Sequence, residues 1–121
     1  MGLDMYAYTT REAIPLVDFE HPEDSNEIAY WRKHPNLHGW MHRLYDAKGG
    51  KSERFNCDQL QLVSADLDTL EQIVLADALP DHTGFFYGVT RPDEKYIDLA
   101  FIARARHAIA EGYQVFYSSW W

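Results

Sequence analysis

Apolar and polar positions along this chain fall into short blocks of two different periods. Leu3 to Thr9 alternates small or apolar residues with larger ones, two of them tyrosines, which predicts a first strand ending near Thr10, where the charged pair Arg11-Glu12 breaks the pattern. Asp24 followed by Glu27 has capping-box spacing and predicts a short helix from about Ser25 to Lys33, stopped by Pro35, which disfavours helical geometry at His34. Pro35 also suits the first turn of a second helix. That helix is predicted to run to about Lys48, with Leu37, Trp40, Met41, Leu44 and Tyr45 on one face and Gly49-Gly50 as its stop, although Gly39 interrupts it. Phe55 to Val63 sets Cys57, Gln59 and Gln61 against Leu60 and Leu62, the alternation of a half-buried strand.

Ser64 then opens a helix to about Leu79 whose Leu67, Leu70, Val74 and Ala78 share one stripe, with Asp66 and Asp68 near the positive end of its dipole and Pro80 beyond it. Thr83 to Val89 is an aromatic run between Gly84 and Gly88, readable as a strand or an ordered loop. Thr90 with Asp93, and Pro92 in the first turn, predict a long helix from about Pro92 to Glu111 closed by Gly112. Tyr113 to Trp121 reads as a last strand. This order predicts a single α+β domain over residues 1–121, with a mixed or mostly antiparallel sheet of three to four strands and about four helices packed mainly on one face.

Composition agrees with one folded domain: 121 residues, 46% apolar and 25% charged, are enough for one core and too few for two. The single cysteine, Cys57, is expected in the core. With no second cysteine to pair with, no basic segment followed by an apolar run at the N-terminus and no stretch of about 20 apolar residues, the expected location is cytoplasmic, without a membrane anchor. A net charge of −8 argues against duplex nucleic acid as a partner. The charge is unevenly spread. Trp31 to Arg54 carries six basic residues against two acidic ones, so +4 sits within a chain of −8 and −12 lies elsewhere.

The strings YWRKHPNLHGWM (Tyr30 to Met41), FNC (Phe55 to Cys57), TGFFYG (Thr83 to Gly88) and AIAEGYQVFYSSWW (Ala108 to Trp121) resemble an uncharacterised family of small bacteriophage and bacterial proteins, across nearly the whole chain. The resemblance implies a phage or prophage origin and supplies no catalytic residues. Some members carry a phosphoglycerate kinase label. This chain has neither the length for two Rossmann-like lobes nor a glycine-rich phosphate loop opening a helix, and does not support it.

Candidate chemistry gathers in one stretch. His34, His38 and His42 recur at i, i+4 and i+8, on a stripe placed at the solvent border of the second helix. His38-Gly39-Trp40-Met41-His42 lacks the glutamate of an HExxH site, and although Asp46 lies one turn on, no metal, cofactor or catalytic residue is assigned. Trp31, Arg32, Lys33, His34, His38, Trp40, His42 and Arg43 together form the candidate ligand site, suited to an anion that stacks on tryptophan. Its affinity is expected to rise on acidification as the histidines gain charge. Trp120 and Trp121 form the candidate partner site, since adjacent strand residues face opposite sides and one ring stays accessible unless both faces are covered.

With eighteen aromatic residues and no catalytic constellation, the expected function is a non-catalytic interaction or accessory protein. A host protein is its expected partner, and a second copy of the chain in a homodimer is another. The alternatives are a small enzyme or binding protein for an anionic metabolite acting through residues 30–43, and an acidic protein that competes with nucleic acid for basic partners.

Overall fold

The computed structural model describes residues 2–82 and 88–121. They form a four-stranded antiparallel sheet, built from β1 (Asp4–Thr10), β2 (Asn26–Arg32), β3 (Leu60–Leu62) and β4 (Gln114–Trp120) in the order β2-β1-β4-β3. Three helices accompany it among the described residues, α1 (Pro35–Ala47), α2 (Ser64–Leu75) and α3 (Glu94–Ala110). No helix among these residues is long and apolar enough to cross a membrane. The expected segment Thr83 to Val89 lies for the most part outside the described residues.

The two chain-terminal strands pair at the centre of the sheet, and the register sorts their side chains by period 2. Met5 faces Trp31 on one side and Ser119 on the other, and Ala7 faces Ala29 and Tyr117. Leu60 and Leu62 continue these rows opposite Tyr117 and Val115. On this face the sheet residues join Leu37, Met41 and Tyr45 of α1, Leu67, Leu70 and Val74 of α2, and Phe101, Ile102 and Ala105 of α3 in one core. The other face carries Tyr30, Tyr6, Tyr8 and Phe116. Phe19 and His21, from the loop after β1, pack edge-on against the Phe116 ring at 5.3 and 5.4 Å, covering that end.

Several expectations are corrected. The helix expected at Ser25 to Lys33 is strand β2. The Asp24 carboxylate accepts hydrogen bonds from the Thr10 hydroxyl and the Arg11 amide instead of capping a helix, and so closes the end of β1. Glu27 to Arg32 then alternates, with Ala29 and Trp31 buried and Tyr30 and Arg32 outside, and Ile28 is absorbed as a bulge. The strand expected from Phe55 is confined to Leu60–Leu62, because Phe55 and Cys57 have φ of 47° and 63°, outside the extended region. Cys57 is exposed, not core, and its amide donates to the Ser119 carbonyl at 2.7 Å.

The helix expected to reach Leu79 ends at Leu75, where Asp77 turns to a φ of 53° and Ala78 is exposed. The last helix begins at Glu94 rather than Pro92, and Thr90 is engaged elsewhere, as described below. Among the described residues the count is therefore three helices, not about four. The remaining elements begin and end within about two residues of the expected positions, and Gly112, at a φ of 94°, supplies the left-handed residue that closes α3.

Leu70 is fully buried while Gln72, two residues along the same helix, is exposed. Leu70→Ala is expected to lower stability by about 2–5 kcal/mol, from lost transfer energy and the cavity left behind. Gln72→Ala should be nearly silent in the same denaturant melts. Equal effects would mean that α2 packs by another face.

Candidate functional site

The junction between β2 and α1 sends the residues of the 30–43 stretch in three directions. Alternation along β2 turns Trp31 into the core and leaves Arg32 outside, where its guanidinium meets Asp4 at 3.1 Å. Lys33 leaves the strand with a φ of 56° and stays exposed. That turn brings His34 inward, just ahead of Pro35 in the first turn of α1. His38 follows one turn later on the buried side of the helix, while Trp40 and His42 are half-buried and Arg43 is exposed. Of the three histidines only His42 therefore reaches solvent. His34 is 1% exposed and His38 is 0% exposed, and the cationic groups of the stretch do not converge with them on one concavity.

His34 is held from both ring nitrogens. Its Nε2 lies 2.9 and 3.1 Å from the two carboxylate oxygens of Asp98, itself 1% exposed, and its Nδ1 lies 3.0 Å from the Thr90 hydroxyl. The Trp31 indole N–H donates to the same carboxylate at 3.0 Å. The Thr90 oxygen also accepts from the Asn36 amide at 3.1 Å, one of the first-turn donors that α1 leaves without an internal partner. These groups stand at one side of a cleft of about 140 Å³ between the start of α1, the end of α2 and the start of α3. Arg91 and Lys95 also line it, paired with Glu94 at 3.4 Å and Asp77 at 3.2 Å.

His38 has different surroundings. Its Nδ1 is hydrogen-bonded to the Tyr117 hydroxyl at 2.7 Å, and its ring stacks 5.2 Å from Phe55. Burial, with His82 and His42 as positive neighbours, pushes its pKa down to about 3. The expected gain of charge on acidification thus fails at His38, because a proton there would lie in an apolar core. Burial lowers His82 as well, with His42 and Arg43 adding to the effect. Among the described residues no group of three or more His, Cys, Asp or Glu side chains is arranged to hold a metal ion.

The two terminal tryptophans also part company. Trp121 is tied to the loop after α1: its indole N–H donates to the Phe55 carbonyl at 3.1 Å and its amide to Asn56 Oδ1 at 3.0 Å. Trp120 is 68% exposed on the outer sheet face, opposite Asp4 in the register. There Tyr30, 46% exposed, packs 5.3 Å from Tyr6 and donates its hydroxyl hydrogen bond to Asp4 at 2.6 Å.

Sequence reasoning missed Asp98 and Thr90. The signal for Asp98 was present. It lies three and four residues before Phe101 and Ile102, and seven before Ala105, an acid on the inward stripe of a helix where burial demands a partner. Thr90 carried a capping pattern, which gave no sign that it bonds the histidine at the head of a different helix.

Because His38 takes up a proton near pH 6.5 when unfolded and only near 3 when folded, its contribution is complete above pH 6.5 and is lost as pH falls from there towards 3. The melting temperature should therefore fall on acidification below about pH 6.5. In His38→Gln the slope of stability against pH between about 6 and 4 should be shallower by up to about 1.4 kcal/mol per pH unit. An unchanged slope in the variant would place the acid sensitivity elsewhere.

Comparison with protein families, with curated proteins and with solved structures finds no match to this chain.

Proposed function

We propose that this chain is an interaction module that seats a protein partner on the uncovered end of its sheet. The observation that carries this reading is that the packed pair Tyr30 and Tyr6 and, by register, Trp120 lie on the face away from the helices, with Tyr30 and Trp120 well exposed. The loop bearing Phe19 and His21 covers Tyr8 and Phe116 and leaves this end open. Large, rigid aromatic side chains are what protein interfaces concentrate at their centres, and here the sheet fixes their spacing.

The chemistry around the rings indicates the character of the partner. Asp4 and exposed Glu27 lie on the same face, and the chain as a whole carries −8. Lysine or arginine side chains of a partner would meet carboxylates as well as ring faces that attract cations. Arg32, the neighbouring cation, is already paired with Asp4, so the face offers little to a phosphate backbone. A basic segment of a host protein fits this surface, which suits an accessory role. The separation of Arg32, Lys33 and Arg43 from the buried His34 and His38 gives an anionic metabolite less to hold.

The test is capture from a bacterial lysate followed by titration of the purified partner against wild type and Tyr30→Ala/Trp120→Ala. Both positions are exposed, so the double variant should melt like the wild type while its affinity falls at least about tenfold. A partner bound equally by the double variant would overturn the reading. Concentration-dependent sedimentation that the double variant abolishes would instead make a second copy the occupant. Binding lost above about 0.3 M salt with the aromatic substitutions silent would favour a purely charge-driven competitor of nucleic acid.

A further inference from the structure

We propose that Thr90 is a nucleophile, with His34 as its general base, and that the cleft beside it accepts a small carboxylic ester. The inference rests on how hydrogens must be placed along Asp98, His34 and Thr90. An ionised carboxylate only accepts, so the imidazole nitrogen facing Asp98, Nε2, carries the proton. In the neutral ring Nδ1 is then an acceptor, and the group in front of it at 3.0 Å is the Thr90 hydroxyl. This is the relation of acid, base and alcohol that activates a hydroxyl for attack, recognised by geometry and not by chain order.

Three features go beyond what a structural strut requires. The Asp98 carboxylate is fixed by a second donor, the Trp31 indole, which makes Trp31 a positioning residue for the carboxylate and through it for the ring. The Asn36 amide, at the positive end of α1, points at the Thr90 oxygen and stabilises negative charge building there. All three residues line the cleft, and Thr90 is the half-exposed one while His34 and Asp98 are buried behind it, so the threonine is the most accessible member of the array.

The step balances without any cofactor. Thr90 Oγ1 bonds to the acyl carbon as its proton passes to His34 Nδ1. The bond from that carbon to the alcohol oxygen then breaks, and the leaving oxygen takes the proton from Nδ1. Thr90 is left as its ester. Water, deprotonated in turn by Nδ1, attacks the acyl carbon, freeing the carboxylic acid and restoring the hydroxyl.

The probe is 4-nitrophenyl acetate, with nitrophenolate release followed by absorbance and the acetyl group located by peptide mapping. Wild type is expected to show a burst and an acetyl group on Thr90. Thr90→Val should lose the burst, Thr90→Ser should keep it, and His34→Gln should slow Thr90 acetylation by about 100-fold or more, in line with removal of a general base. Since His34→Gln disturbs a buried pair, its cooperative melting is checked first, and Thr90→Val and Thr90→Ser, which leave that pair intact, decide the matter if it is unfolded. Acetyl groups confined to lysines or other histidines in a folded wild type overturn the proposal. So does a burst that is undiminished in Thr90→Val, or Thr90 acetylation at the same rate in a folded His34→Gln.

Discussion

A carboxylate withdrawn from water is tolerated only where donors replace the water it has lost, and the donors of Asp98 come from two other parts of the chain. Trp31 reaches it from β2 and His34 from the β2–α1 junction, so one buried group ties the edge of the sheet and the start of the first helix to α3. Removing one member of such a set leaves a buried charge uncompensated, at a cost of about 3–5 kcal/mol. The β2–α3 packing has few alternatives as a result. An apolar residue at position 98 would satisfy the helix, but it would leave the indole and imidazole hydrogens buried without acceptors.

From that anchor the division of the molecule into two faces follows by parity. With Trp31 pointed at Asp98, the period of a strand forces Tyr30 and Arg32 to the opposite side. The antiparallel register carries this choice across β1 and β4, so that Tyr6 and Trp120 share the side of Tyr30, while Met5 and Ser119 share the side of Trp31. The helices cover one side. The loop after β1, held to the strand end by Asp24, covers half of the other.

Elements whose own periodicity agreed with their tertiary place were legible in the sequence. α1 with its leading proline, the stripe Leu67, Leu70 and Val74 of α2, the glycine that ends α3 and the two central strands are of this kind. The errors arose where a polar side chain had two partners available. Asp24 and Glu27 spell a capping box, yet the hydroxyl of Thr10, fourteen residues earlier, competes for the same carboxylate and a local pattern cannot weigh it. Thr90 spells a cap for α3 and instead serves α1. Cys57 is an apolar residue in an alternating run, but the run is broken by positive φ at Phe55 and Cys57 that nothing in its composition announces. His38 and His42 share one face of α1, where both stack on Phe55, while His34 precedes the helix and turns to Asp98; spacing alone does not say which side of the molecule a shared face meets, and His38 lies in the core where solvent was expected.

The same parity makes the two candidate surfaces physically independent. Tyr30 and Trp31 are neighbours in the chain, but their side chains leave opposite faces of one sheet, and the backbone pairing between β2 and β1 lies between them. A partner resting on Tyr30 meets no atom of the Asp98 array. It acts on that array only by moving β2 as a body, which the central position of β1, paired on both sides, resists. The cleft and the aromatic face are therefore joined by rigidity alone. A substitution that weakens one without unfolding the chain leaves the geometry of the other in place, so a joint loss of function at both surfaces would point to the fold and not to either site.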